Sequence, residues 1–77
     1  MNEDWETGFT SPPHRSHLAA ELRYRGNIVA EVYWLKGEFR CELYQPSKGE
    51  WQDVPALGFA ERLTAAVEML RVRLDVR

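Results

Sequence analysis

The stretch from Leu18 to Tyr44, LAAELRYRGNIVAEVYWLKGEFRCELY, decides the fold. Its apolar residues alternate with polar ones, the mark of half-buried strands, and the alternation is broken at Arg25-Gly26-Asn27 and at Lys36-Gly37 by residue types that turn a chain. Three strands are expected, about Leu18–Tyr24, Ile28–Leu35 and Glu38–Tyr44. A two-residue turn at Lys36-Gly37 pairs Leu35 with Glu38, and hence Trp34 with Phe39, Val32 with Cys41 and Ala30 with Leu43, all on one face. A three-residue loop at Arg25-Gly26-Asn27 pairs Tyr24 with Ile28, Leu22 with Ala30 and Ala20 with Val32. Both hairpins put the same residues of the middle strand inside. A slip of one residue in either would throw the apolar set onto the wrong face.

Working outward toward the C-terminus, Pro46-Ser47-Lys48-Gly49 signals a turn, and a fourth, shorter strand at Trp51–Val54 would end at Pro55. Beyond Gly58, a tolerable N-cap, Phe59, Leu63, Ala66, Val67, Leu70 and Leu74 recur at helical spacing and make one core-facing arc. The fold class is α+β: an antiparallel three- or four-stranded β-meander with one C-terminal α-helix packed on one face. Trp34, Phe39, Leu22 and Leu63 should sit at the centre of its core. The same helix carries a second apolar stripe, Ala65, Met69, Val72 and Val76, set off from the core arc. A lone helix on a sheet does not need it. It calls for cover from another chain, as in a weak homodimer, or from the chain's own N-terminal segment.

Toward the N-terminus, residues 1–17 contain Gly8, Ser11, Pro12, Pro13 and Ser16 without sustained periodicity, so they read as a disordered or loosely docked tail preceding a single domain of residues 18–77. The acidic start is unlike a signal peptide, and no apolar run is long enough to span a membrane. With a single cysteine, Cys41, no disulfide can form within the chain, and a cytoplasmic protein is the expectation.

The register also lines up Glu21, Glu31 and Glu42 across neighbouring strands on the face away from the helix, with Tyr33, Tyr44, Trp51 and Val29 beside them. That row is either a site for a basic partner or cation, or a solvated face relieved by Arg23 and Arg40. Aromatics flanked by arginine concentrate binding energy at protein interfaces, and they also stack nucleobases. Base stacking needs a basic groove, which the glutamates deny. The net charge of -2 comes from the first 17 residues, while residues 18–77 balance nine acids against nine bases, unlike a duplex-binding domain.

His14 and His17 stand at H-x-x-H spacing in a loop-like segment, which gives a metal no fixed geometry. Cys41, opposite Val32 on the core face, reads as a small buried thiol. No serine or threonine has a positioned base, so neither catalysis nor a cofactor is expected. At the level of topology the chain resembles the plant-type and integrase-arm domains that read DNA with an exposed sheet, although those carry Arg, Lys and Trp where Glu21, Glu31 and Glu42 stand here. Gly58-Phe59-Ala60-Glu61-Arg62-Leu63 is similar to the Ala- and Glu-rich helix of HicB-type antitoxins. Together these features point to a small module that binds or occludes a partner protein, of the bacterial or phage inhibitor, antitoxin or adaptor type. The candidate contact residues are Ala65, Met69, Val72, Val76, Tyr33, Tyr44, Trp51, Glu21, Glu31 and Glu42. The alternative is a sheet-face nucleic-acid-binding domain.

Overall fold

A computed structural model describes residues 4–45 and 52–76. Four antiparallel strands, β1 (Trp5–Thr10), β2 (Ala19–Tyr24), β3 (Asn27–Leu35) and β4 (Glu38–Leu43), lie side by side in chain order, and helix α1 (Ala56–Leu74) packs on one face. The α+β meander is therefore as the sequence implies. Its fourth strand comes from the opposite end of the chain. Residues 52–55 have no strand structure, and Trp51 lies outside the described residues. Residues 5–10, expected in a tail, form β1 instead, because Trp5, Thr7 and Phe9 alternate with Glu6, Gly8 and Thr10 and pair with β2 as Trp5↔Tyr24, Thr7↔Leu22 and Phe9↔Ala20.

The two hairpins use the same turn. Arg25 and Gly26 have φ of 51° and 84°, and Lys36 and Gly37 have φ of 50° and 85°. Positive φ at both central residues is the requirement of a two-residue type I′ turn, whose twist matches that of the strands it joins. At Lys36-Gly37 the observed register is the expected one in every pair from Leu35↔Glu38 to Ala30↔Leu43. At Arg25-Gly26 the loop is one residue shorter than expected, so Tyr24 pairs with Asn27 rather than Ile28. A bulge in β3, where Val29 is the extra residue opposite the step from Leu22 to Arg23, absorbs the difference and restores Leu22↔Ala30 and Ala20↔Val32.

The fully buried core holds Ala20, Leu22, Ala30 and Val32 of the sheet against Ala66 and Leu70 of the helix. Three alanines at the contact let the helix approach β2 and β3 closely. Trp34, Phe39 and Leu63, expected at the core centre, lie instead at its margin as half-buried residues. The cause is the position of the helix, which packs on β1, β2 and β3. Trp5 takes the central aromatic role. It is only 6% exposed, with ring centroids 4.8 Å from Tyr24 and 6.4 Å from Phe59.

Trp5 also explains Gly58. The helix starts earlier than expected, at Ala56 with Pro55 as its cap residue, so Gly58 lies inside the first turn rather than at the cap. A Cβ at Gly58 would stand 3.0 Å from Trp5 Nε1. Glycine costs a helix interior about 1 kcal/mol relative to alanine, and here its missing side chain is the space the indole occupies. At the other end, Asp75 takes the left-handed conformation (φ 56°) and N–H groups of Asp75 and Val76 close on the carbonyls of Val72 and Arg71. This is a Schellman-type stop, for which Asp is a tolerated residue.

Candidate functional site

Each face of the sheet presents one candidate surface. On the outer face, Glu21↔Glu31 and Glu31↔Glu42 are directly paired across β2, β3 and β4, as the register requires. The expectation that the row is open to solvent or to a partner is corrected at its centre. Glu31 is 3% exposed, because residues 11–18 cross this face and Arg15 reaches into the row. Arg15 Nε donates to Glu31 Oε1 at 2.5 Å, and its Nη2 donates to Glu42. The guanidinium stacks over the Tyr33 ring, 3.4 Å from its centroid. Tyr44 donates its hydroxyl to the other Glu31 oxygen at 3.4 Å, and Glu21 pairs with Arg23 at 2.8 Å. A carboxylate at the middle of a sheet is tolerated when its charge is matched and its lone pairs are used, and both conditions are met here.

The electrostatics follow from that arrangement. Partial burial opposes the Arg15 charge, but the hydrogen bond to Glu31 and the neighbouring Glu31, Tyr33 and Glu42 outweigh it and raise the guanidinium pKa. Burial, followed by the negative charges of Glu31 and Glu42, raises the Tyr44 phenol above its ordinary value. His14, Glu31 and Glu42 bring ligand-type atoms within 4.8 Å of one another. The donor types suit a divalent cation, yet Arg15 already bonds both carboxylates, so a metal would have to displace an internal cation. His17 does not join the group. The basic partner that the glutamate row calls for is thus the chain's own Arg15, a residue of the segment expected to be a tail. The available signal was a row of acids that could be buried only with a counter-charge.

Of the expected contact residues on this face, Tyr33 and Tyr44 are half-buried and engaged with Arg15 and Glu31, Glu42 is exposed, and Trp51 lies outside the described residues. On the helix, Ala65 is exposed, Met69 is 37% and Val72 65% exposed, and Val76 is half-buried. Arg73, one turn on from Met69, lies over the Phe9 ring at 5.6 Å. That contact places the last turns of the helix beside β1, while Ala65, Met69 and Val72 stay exposed.

The inner face has an open flank. Phe39, Cys41 and Leu43 of β4 share the face on which the helix sits, but the helix is centred over the other strands. Cys41, expected to be buried, is exposed, and Leu43 is 68% exposed. Partial desolvation of the thiol raises the Cys41 pKa, so it is a weak nucleophile. Trp34 and Phe39 pack edge to face, with centroids 4.7 Å apart. At the far end, beside Leu43, a cleft of about 610 Å³ is lined by Val29, Tyr44, Gln52, Val54 and Phe59. Gln52 fixes one wall, its amide donating to the carbonyls of Ile28 (2.9 Å) and Tyr44 (2.6 Å).

No protein-family model matches this sequence, and no curated protein or solved structure matches it. Among the described residues no helix is long and apolar enough to cross a membrane.

Proposed function

We propose that this chain is a small protein-interaction module that binds a partner protein, and in doing so occludes it, through the open flank of the inner sheet face. The single observation that supports the reading most is the uncovered apolar side of β4. Phe39, Cys41 and Leu43 lie in a row beside the helix, with a mostly apolar cleft at the Leu43 end. A domain this small has little apolar surface to spare from its core, and adjoining apolar residues left at the surface, here exposed Leu43 and Cys41 beside half-buried Phe39, are a usual mark of a binding site. The outer face adds no rival surface for a polyanion, since its central feature is an acid row already matched by Arg15. The helix stripe Ala65, Met69, Val72 and Val76 is a secondary contact in this reading.

Photo-cross-linking in the native host tests it. With a benzophenone amino acid in place of Leu43, irradiation should join the chain to a heavier protein identifiable by mass spectrometry, whereas the same group at Val72 should give little product. Adducts from position 72 alone would overturn the assignment. Retention on heparin that falls steeply with salt would favour nucleic acid instead.

A further inference from the structure

Among the described residues β4 is the last strand of the sheet, with no strand paired to its outer edge, and that edge has a readable code. Leu35↔Glu38 closes a two-residue turn, and Tyr44 N donates to Val29 O at 2.9 Å. Even-numbered residues of this strand therefore direct their N–H and C=O groups at β3, and the alternation of an antiparallel ladder turns those of Phe39, Cys41 and Leu43 outward. These are the same residues whose side chains lie on the open inner face. A strand edge with unpaired backbone groups and an apolar side is a template for another strand, and proteins normally blunt such edges.

We propose that the occupant of this edge is the β4 edge of a second copy of the chain, paired antiparallel about a two-fold axis at Cys41. The charges select the register. With Cys41 opposite Cys41 of the mate, Arg40 faces Glu42 and Glu42 faces Arg40 on the outer side, while Phe39 faces Leu43 on the inner side. Moving the axis to Arg40 sets Arg40 against Arg40 and Glu38 against Glu42. Moving it to Glu42 sets Glu42 against Glu42. An axis at Phe39 also matches Glu38 with Arg40 but pairs only three residues of the strand, whereas the Cys41 register pairs five, with Arg40 and Glu42 attractive on one side and apolar residues together on the other. The other edge offers no such pattern, since self-pairing of β1 about Thr7 would oppose Glu6 with Gly8, and its Phe9 lies under Arg73.

The pairing joins two four-stranded sheets into one continuous sheet with both helices on the same face. Phe39, Cys41 and Leu43 of the two copies then form the floor of an apolar trough between the helices, so each copy completes the other's binding surface. This rests on the reading of the β4 flank as the interaction surface. The interface is a single short strand pair, which suits a modest affinity.

Sedimentation equilibrium decides the matter. The wild type should be a concentration-dependent dimer. Arg40→Glu and Glu42→Arg should each sediment as monomers with unchanged far-UV circular dichroism, and their equimolar mixture should recover the dimer mass, because every charged pair is then complementary again. A short bis-maleimide provides an arm without substitution. Cys41 is the chain's one cysteine, and directly opposed residues in hydrogen-bonded pairs have Cα atoms about 5.5 Å apart, so the reagent, applied at a pH high enough to ionise this weakly acidic thiol, should couple two copies in high yield. A wild type that stays monomeric, a dimer indifferent to both charge reversals, or a Cys41 that does not couple would each overturn the proposal. A monomer whose position 43 still cross-links a foreign protein would remove the dimer and leave the binding reading standing. A rescued dimer that cross-links only to itself would do the reverse.

Discussion

Arg15, in the segment between β1 and β2, donates through Nε to Glu31 Oε1 at 2.5 Å in the middle of the sheet's outer face. One residue lies in a segment without regular structure and the other on a central strand, so their bond fastens the loop over residues 11–18 to the sheet. Glu31 has Glu21 and Glu42 as cross-strand neighbours. Without Arg15 it would be a buried carboxylate between two others, and with Arg15 it becomes the anchor of the N-terminal third of the chain.

Glu31→Gln should therefore destabilise the protein rather than relieve repulsion. A hydrogen bond to a charged group contributes about 1.5–3 kcal/mol, and removing one member of a largely buried pair strands the other. Urea melts should show a loss in that range. Because both single changes break one interaction, Arg15→Met combined with Glu31→Gln should cost less than the two losses added together. A neutral Glu31→Gln would mean that the loop is not held there.

Gly58→Ala, which stabilises most exposed helix positions, should here cost about 1–3 kcal/mol, the usual range for overpacking. The new methyl would meet the Trp5 indole. In a Trp5→Leu background the same change should lose its penalty. Thermal melts of the four proteins test this directly, and tryptophan fluorescence should report displacement of Trp5 in Gly58→Ala.

The position of the helix predicts an order of sensitivity within the apolar residues. Leu22→Ala and Leu70→Ala, at fully buried sites, should each cost about 2–5 kcal/mol. Leu43→Ala and Val72→Ala should fall within the roughly 0.5 kcal/mol usual for surface changes in the monomer. Equal losses at Leu43 and Leu22 would mean that the helix covers β4.

Tyr44 gives a pH signature. Burial and the nearby Glu31 and Glu42 raise its pKa in the folded protein, so the native state holds the phenolic proton more tightly than the unfolded chain. The resulting stability is complete below the unfolded value of about 10 and is lost as pH rises through the folded pKa. Ultraviolet titration at alkaline pH should show a late-ionising phenol in the wild type that is lost in Tyr44→Phe.

The strand pairs were legible in the sequence because side-chain alternation has a period of two and a register error exposes a whole apolar set. That constraint is strong enough that Leu22↔Ala30 and Ala20↔Val32 hold although the loop before them is one residue shorter than expected, the bulge at Val29 of β3 making up the difference. β1 was equally written, in the alternation Trp5, Thr7, Phe9, but Gly8 and the prolines after it obscured a signal only six residues long. The glutamate row was legible as a row. Its closure was not, because a loop residue such as Arg15 has no periodicity from which its target can be read.

By itself, then, the sequence determined the α+β class, the meander, the shared inner and outer faces and the helix that follows, since all of these depend on local periodicity and turn chemistry. The tertiary structure alone decided three further things: that β1 completes the sheet, that Arg15 neutralises Glu31, and that the helix settles toward β1 and away from β4. The last has a definite physical cause. Trp5 and the alanines at positions 20, 30 and 66 offer the helix its deepest seat on that side of the sheet, and 19 helical residues cover only a strip of a four-stranded surface. The strand left over, with Cys41 and Leu43 exposed beside half-buried Phe39, is where this protein has surface to share.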